Sequence, residues 1–221
     1  TLDIPGTRED GTQSAVGSDA FERDRRYIEA QLRELITLCE ELTGKKFDID
    51  RLREVMGYAN RTSLAWKRVL ELNRAGPPVF NALTDGTVYL GISNGLRGTE
   101  AGAVYMEQLV EELEHKVANN IGTLTEDTWR LAFVGVPCYP IFRRFTELFT
   151  EWGGSYVSST YLWFASGGAN RGHELDLSRP LESYAEGVLL GMRDAMAAMF
   201  HQDRVLERMV DEFALDGVVY H

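Results

Sequence analysis

The sequence predicts an α/β chain: a helical subdomain over residues 1–125, with an extended N-terminal segment, leading into part of a doubly wound parallel sheet over 126–221. Three observations carry that reading. Long amphipathic helical patterns fill the first half and contain no strand signal. From Arg130 onward, strand and helix patterns alternate, which implies parallel strands with helices on both faces. Finally, Leu131-Ala-Phe-Val-Gly-Val-Pro-Cys-Tyr-Pro140 begins as an apolar run without polar alternation, the mark of a strand buried on both faces. Its prolines cannot donate to a ladder, so the strand must stop there.

The elements follow in order. Residues 6–17 are rich in Gly, Thr, Ser and charge and read as a loop. Ser18 or Asp19 can cap a first helix, whose stripe is Ile28, Leu32, Leu35, Ile36, Cys39 and Leu42, and Gly44 can end it. Cys39 lies within that stripe and is expected to be a small buried hydrophobe. A second helix starts near Asp48 or Asp50 with the stripe Leu52, Met56, Ala59, Ser63, Trp66 and Leu70, and Gly76-Pro77-Pro78 stops it. The short turn between these helices predicts an antiparallel hairpin. Asn60, Arg61 and Thr62 fall between stripe positions and are expected to be solvated. Residues 77–98 fit either a short helix near 84–93, the preferred reading, or an irregular loop; a turn at 94–98 follows, and Thr99 can cap a helix over 99–119 built on Met106, Leu109, Val110, Leu113 and Val117. The glutamates of that helix, Glu107, Glu111, Glu112 and Glu114, read as a solvated face.

The second half reads as strand 131–136, helix 140–152, strand 155–159, helices 181–200 and 203–214, and strand 217–220, with Gly153-Gly154 turning the chain back to the sheet. Parallel strands bring three ends to one edge: Gly135, Pro137 and Cys138; Ser159, Thr160 and Tyr161; and Tyr220 with His221. That edge is where open α/β sheets bind ligands. The extended opening and the terminal strand, with nothing after it, read as a piece of a longer polypeptide.

Composition narrows the function. The net charge of -11 argues against a general nucleic-acid binder. No apolar run approaches the roughly 20 residues of a membrane span. Cys39 and Cys138 cannot make a disulfide framework, so a reducing cytoplasm is the expected setting. The spacing of Cys and His fits no zinc pattern, and Glu111 with His115, four residues apart on a helix, is too little for a metal site. A Cys138–His221 nucleophile pair is conceivable by topology but no signature supports it. Ser159 and Thr160 at a strand end can equally satisfy local backbone groups. Arg97, beside a helix N-terminus, could meet an anion such as a phosphate, or stand as an exposed turn arginine.

The ordered motifs add to this. Leu2-Asp-Ile-Pro5, the helix Tyr27–Leu42 with its Glu41-Leu-Thr-Gly-Lys-Lys-Phe47 ending, Asp50-Arg-Leu-Arg-Glu-Val55 and Asn60-Arg-Thr62 come first. Leu96-Arg-Gly-Thr99, Gly135-Val-Pro-Cys-Tyr-Pro140, Ser159-Thr-Tyr161 and Asp216-Gly-Val-Val-Tyr-His221 follow. Together they resemble the benzoyl-CoA reductase and 2-hydroxyacyl-CoA dehydratase family, B or D component, over essentially the whole chain. The Gly135–Pro140 motif looks more like the reductase branch.

The resemblance implies a Rossmann- or flavodoxin-like sheet and a [4Fe-4S] cluster held between two α/β domains. It also implies an ATP-hydrolysing activator protein that delivers low-potential electrons, a homologous partner subunit and an acyl-CoA substrate that is reduced or dehydrated. It casts Gly135, Pro137, Cys138, Ser159, Thr160 and His221 as cofactor-site residues and Arg97 and Tyr161 as substrate contacts. It puts the family's cluster cysteines before Thr1 and after His221, and neither Cys39 nor Cys138 matches them. Cys138 is then a wall residue of the cluster site, and a metal ligand only as the lesser alternative. A dehydratase component, and a non-catalytic subunit that completes a partner's site, stand as the alternatives.

Overall fold

The computed structural model describes residues 2–5, 15–74, 76–124, 129–166, 171–200 and 202–221. Most of the expected loop 6–17 and the expected boundary at 125/126 lie outside the described residues.

The caps that the sequence announces start and stop the helices. α1 (Asp19–Thr43) begins on Ser18, whose Oγ accepts from the Phe21 N–H, and ends on Gly44 in the left-handed conformation. α2 (Ile49–Glu71) begins on Asp48, whose carboxylate accepts from the N–H groups of Asp50 and Arg51. α3 (Asp85–Gly95) is short, and α4 (Glu100–Ala118) opens on Thr99, whose Oγ1 accepts from Gly102 N–H.

The helical hairpin is not formed. α1 packs on α7 (Pro180–Phe200) instead, and α2 packs on α4. The reason lies in where α1 is apolar enough to bury. Phe21, Ile28 and Leu32 in its first half meet Ala185 and Leu189 of α7. Arg25 on the same face reaches Glu22, Glu29 and Glu182, so charge as well as shape selects α7. The second half of the stripe is left to solvent: Leu35 and Cys39 are exposed and Leu42 is 78% exposed. Cys39 is therefore a surface thiol and not a core residue.

Of the residues read as solvated, Glu111, Glu112 and Glu114 are exposed as expected, but Asn60, Arg61, Thr62 and Glu107 are engaged by other parts of the chain. Arg61 makes two 2.7 Å bonds to the Glu107 carboxylate and Arg68 one to Glu114, joining α2 to α4. Asn60 pairs through both ends of its amide with the backbone of Leu175, and Thr62 is fully buried. The sequence pattern placed them off the stripe correctly. It could not show that a second layer covers that flank.

The sheet has three parallel strands in the order β2-β1-β3, with β1 (Trp129–Val134) central, β2 (Gly154–Ser159) on one side and β3 (Gly217–Tyr220) on the other. A 3₁₀ turn (Tyr139–Ile141) and α5 (Phe142–Thr150) connect β1 to β2. α6 (Thr160–Phe164), α7 and α8 (Gln202–Phe213) connect β2 to β3. All six residues of β2 are buried: Tyr156 packs against Phe145 and Phe149 of α5, and Val157 against Val205, Met209 and Phe213 of α8. This is the doubly wound arrangement expected, with the chain reversing direction at β1. α6 is an added element: the chain coils as it leaves β2, capped by Ser159 Oγ, in a stretch to which the sequence pattern assigns no element.

The free edge of β2 is closed by the segment that follows α2. Ala82 N–H donates to Tyr156 O at 2.6 Å, and Thr123 N–H donates to Pro78 O. Asn73, fully buried, ties this together. Its Nδ2 donates to Phe80 O and Val157 O, and its Oδ1 accepts from Val79 and Phe80 N–H. Arg130 of β1 adds a second tie, donating to the carbonyls of Asn73, Arg74 and Gly76 at the end of α2 and of Phe213 at the end of α8. One core accordingly runs from Trp66, Val69 and Leu113 of the helices to Phe133 and Tyr156 of the sheet.

Replacing Asn73 by Ala should cost roughly 3–5 kcal/mol, because it strips partners from two donors and two acceptors that water cannot reach. Urea unfolding followed by circular dichroism measures this, and a loss below about 1 kcal/mol would contradict the role given to that side chain.

Candidate functional site

The carboxyl ends of the three strands meet as expected. At the end of β1, Val134 O accepts the His221 N–H at 3.0 Å, which extends the β1–β3 pairing by one residue. Gly135 then turns away with φ +115°, a conformation that side chains rarely adopt. The turn is tight for a second reason: a Cβ at Gly135 would lie 2.4 Å from His221 O. The Gly135 N–H, turned off the ladder, donates to Thr160 Oγ1 at 3.1 Å, so the fully buried Thr160 closes β1 onto the end of β2. Gly135, Thr160 and His221, from three different strand ends, thus form one connected group.

His221 is held in a definite position. Its Nδ1 lies 2.9 Å from Val136 O, and its ring stacks on Phe133 with centroids 6.1 Å apart. A ring nitrogen facing a carbonyl must carry the proton, which leaves Nε2 as an acceptor in the neutral ring.

Pro137 and Cys138 shape the turn. Pro137 O accepts from Tyr139 N–H and Cys138 O from Ile141 N–H, which winds the 3₁₀ turn and leaves Cys138 half-buried between β1 and α5. The thiol stands near the Tyr156 phenol, whose pKa is raised first by burial and then by Cys138. The Tyr156 hydroxyl is buried and has no hydrogen-bond partner among the described residues. Ser159 Oγ accepts the Tyr161 N–H, so both strand-end hydroxyls serve the backbone.

Tyr139 lies inside the Gly135–Pro140 motif, yet sequence reasoning assigns it no role; it is the functional candidate that only the structure reveals. Its phenol hydrogen-bonds to the phenol of Tyr161, and the rings meet edge to face. Partial burial, followed by that bond, pushes its pKa up to about 12, so Tyr139 stays protonated at neutral pH. One hydroxyl donates to the other, and one O–H is left to donate outward. The signal available was its place between two prolines, which restrict the neighbouring backbone and hold the ring over α6. Around this group the edge is apolar and open: Val136, Tyr139, Ile141 and Tyr220 are all exposed, Tyr220 at 65%.

Arg97 is elsewhere. It lines a cavity of about 530 Å³ between α2 and α7, which includes none of the strand-end residues. Its guanidinium donates to Asn94 Oδ1 and, at 2.7 Å, to Ser166 O, and burial lowers its pKa. Neither the exposed turn arginine nor an arginine at the strand-end edge describes it.

Among the described residues there is no group of three or more His, Cys, Asp or Glu side chains placed to hold a metal. A [4Fe-4S] cluster needs several thiolates, whereas one cysteine stands on this edge and Cys39 is on the exposed face of α1. These residues alone do not fit a cluster. Cys138 can supply one wall contact or at most one ligand.

Exchanging Gly135 for Ala should destabilise the edge by roughly 2–4 kcal/mol, since it adds both a strained φ and a backbone clash. Thermal unfolding reads the loss, and hydrogen exchange should place it at 217–221. An unchanged melting temperature would contradict the close approach of β3.

The chain matches the model of the 2-hydroxyglutaryl-CoA dehydratase, D-component family over residues 1–221. It is similar to a benzoyl-CoA reductase subunit from Thauera aromatica, 30% identical over 205 residues that make up 88% of this chain and 46% of the relative. It is also similar to the (R)-phenyllactyl-CoA dehydratase alpha subunit of Clostridium sporogenes, 29% identical over 73% of this chain and 39% of the relative. The (R)-2-hydroxyglutaryl-CoA dehydratase alpha subunit of Acidaminococcus fermentans is 35% identical over 54% of this chain and 25% of that relative. The chain spans less than half the length of these curated relatives. With the match covering every residue and the strand-end edge built from its ordered motifs, this chain belongs to the 2-hydroxyglutaryl-CoA dehydratase D-component family.

Proposed function

We propose that this chain is part of a catalytic component of an acyl-CoA reductase of the benzoyl-CoA reductase kind, and that its strand-end edge is one wall of the reaction site. The observation that carries this is the group of Gly135, Thr160 and His221, fixed by hydrogen bonds at the sheet's switch point and ringed by exposed apolar side chains. The Gly135–Pro140 motif, which looks more like the reductase branch, favours the reductase, while the relatives' similarity does not choose between the branches. A 2-hydroxyacyl-CoA dehydratase component is the second reading, favoured by the dehydratase alpha subunits among the relatives. A non-catalytic scaffold that completes a partner's site is the third, and the lack of a thiolate set on this edge favours it.

The residues of the edge have separate tasks in this proposal. The Tyr139–Tyr161 pair offers one O–H to the thioester carbonyl oxygen. His221, with Nδ1 held by Val136, offers Nε2 as an acceptor. Val136, Ile141 and Tyr220 exclude water when covered. Of the two substrate contacts that the resemblance implies, Tyr161 stands on this edge, whereas Arg97 would meet coenzyme A only if the thioester reached into the α2–α7 cavity.

A [4Fe-4S] cluster would take its cysteines from the rest of the protein. Gly135, Pro137, Cys138, Ser159, Thr160 and His221 would form its floor and supply no complete ligand set. A homologous partner subunit and an ATP-dependent activator complete the proposed assembly, at work in the cytoplasm. No described helix is long and apolar enough to cross a membrane.

Iron and sulfide analysis of the full-length protein, purified without oxygen, tests the catalytic reading, and an iron-free protein after anaerobic reconstitution would favour the scaffold. Consumption of a 2-hydroxyacyl-CoA without net reduction would replace the reductase by the dehydratase. Cys138→Ser should keep its iron while activity drops roughly tenfold, the usual scale for a residue beside a metal group. Complete loss of iron in that variant would make Cys138 a ligand.

A further inference from the structure

A second cavity, of about 490 Å³, lies beside the amino end of β2, with α3 on one side and α5 on the other. It includes none of the strand-end residues. Asn81, which lines it, is only 8% exposed. Its Oδ1 accepts from the N–H groups of Leu83 and Thr84 at 3.0 and 3.3 Å, which settles which end of the amide is the nitrogen. Its own backbone N–H donates to Asp85 Oδ2 at 2.9 Å, so amide and carboxylate stand side by side. Asn81 Nδ2 has no hydrogen-bond partner among the described residues, yet unlike the sealed Tyr156 hydroxyl it keeps accessible surface. An unpaired donor on a side chain more than nine-tenths buried, open to a cavity, points to an acceptor that arrives with a ligand.

The charged lining says what else that ligand carries. Arg143 of α5 makes no hydrogen bond or ion pair among the described residues, although Glu147 stands one helical turn further on. Glu147 reaches Arg144 instead, at 3.5 Å. Asp85 has one oxygen engaged by the Asn81 N–H and the other without a partner among the described residues. The cavity thus offers a guanidinium and an amide N–H to an anionic group, and two carboxylates to a cationic one. A simple anion would face Asp85 and Glu147, and a simple cation would face Arg143. A zwitterion answers both. Val88, Leu124 and Phe142 give the rest of the wall an apolar face, and the volume lies in the range of small-molecule sites.

We propose that this cavity binds a free α-amino acid with an apolar side chain. Arg143 and Asn81 Nδ2 receive its carboxylate, Asp85 and Glu147 its ammonium, and Val88, Leu124 and Phe142 its side chain. Phe142 also meets Tyr139, with ring centroids 6.3 Å apart, so the occupied cavity adjoins the strand-end edge without sharing a residue with it. The site does not depend on the reaction proposed for that edge.

Titration calorimetry on the full-length protein with L-phenylalanine and L-valine tests this. Phenylpropanoate, which lacks the ammonium, and phenethylamine, which lacks the carboxylate, serve as the two halves. Saturable binding of an amino acid, at least tenfold tighter than either half, is the expected result. Arg143→Gln should weaken it at least tenfold and Arg143→Lys less. Both changes fall on an exposed position of α5, and an unchanged melting temperature shows that the variants fold. On the unaltered protein, the bound amino acid should slow hydrogen exchange over 81–88 and 142–150. No saturable binding of either amino acid, phenylpropanoate binding as tightly as L-phenylalanine, affinity unchanged in Arg143→Gln, or exchange unchanged in both segments would overturn the proposal. Slower exchange there with glucose, a neutral hydroxylated probe, and not with the amino acids would overturn it as well.

Discussion

The structure turns on one buried carboxamide. Asn73 sits where α2 ends and the chain must pass from helices to sheet, a place that would otherwise leave two N–H and two C=O groups without partners. Its amide serves all four, and in doing so lays the Val79–Ala82 segment along β2 and closes an edge that would invite aggregation. Arg130 repeats the device from the sheet's side by gathering carbonyls from the ends of α2 and α8. Burial lowers the pKa of that guanidinium, but its carbonyl partners and nearby Asp216 hold it in place.

That attachment gives the strand-end edge its rigidity. β1 is central and pinned on both sides, so the turn at Gly135 starts from a fixed point. The close approach of His221 O to Gly135 and the bond from Gly135 to Thr160 then fix the three strand ends relative to one another. The hydroxyls of Ser159 and Thr160 satisfy backbone groups, one of the two readings the sequence allows them, and act as struts, while the tyrosine pair and His221 stand beside them on the edge. A surface so fixed and so apolar suits a wall covered by another part of the protein or by a substrate.

What was legible in the sequence was local chemistry. Ser18, Gly44, Asp48 and Thr99 marked helix ends because capping acts over three or four residues. Leu131–Val134 marked the central strand because full burial removes alternation, and three strand ends on one edge followed from parallel order. Partner choice was not legible. Leu35, Cys39 and Leu42 continue α1's stripe as faithfully as Ile28 does, yet α7, far along the chain, covers only the first half. Glu107 and Arg61 each looked solvated alone and are visible as a pair only once α2 lies on α4. α6 was too short to show a stripe, and Arg97 turned inward because Ser166 O, unknown to any local pattern, accepts from it.

The central claim is that the edge built from residues 133–141, 159–161 and 217–221 is a wall of the acyl-CoA site. Hydrogen exchange on the anaerobically purified full-length protein, with and without saturating benzoyl-CoA, tests it most directly. Protection on binding should concentrate in those three segments. Unchanged exchange in all three, with protection confined to other parts of the protein, would contradict it.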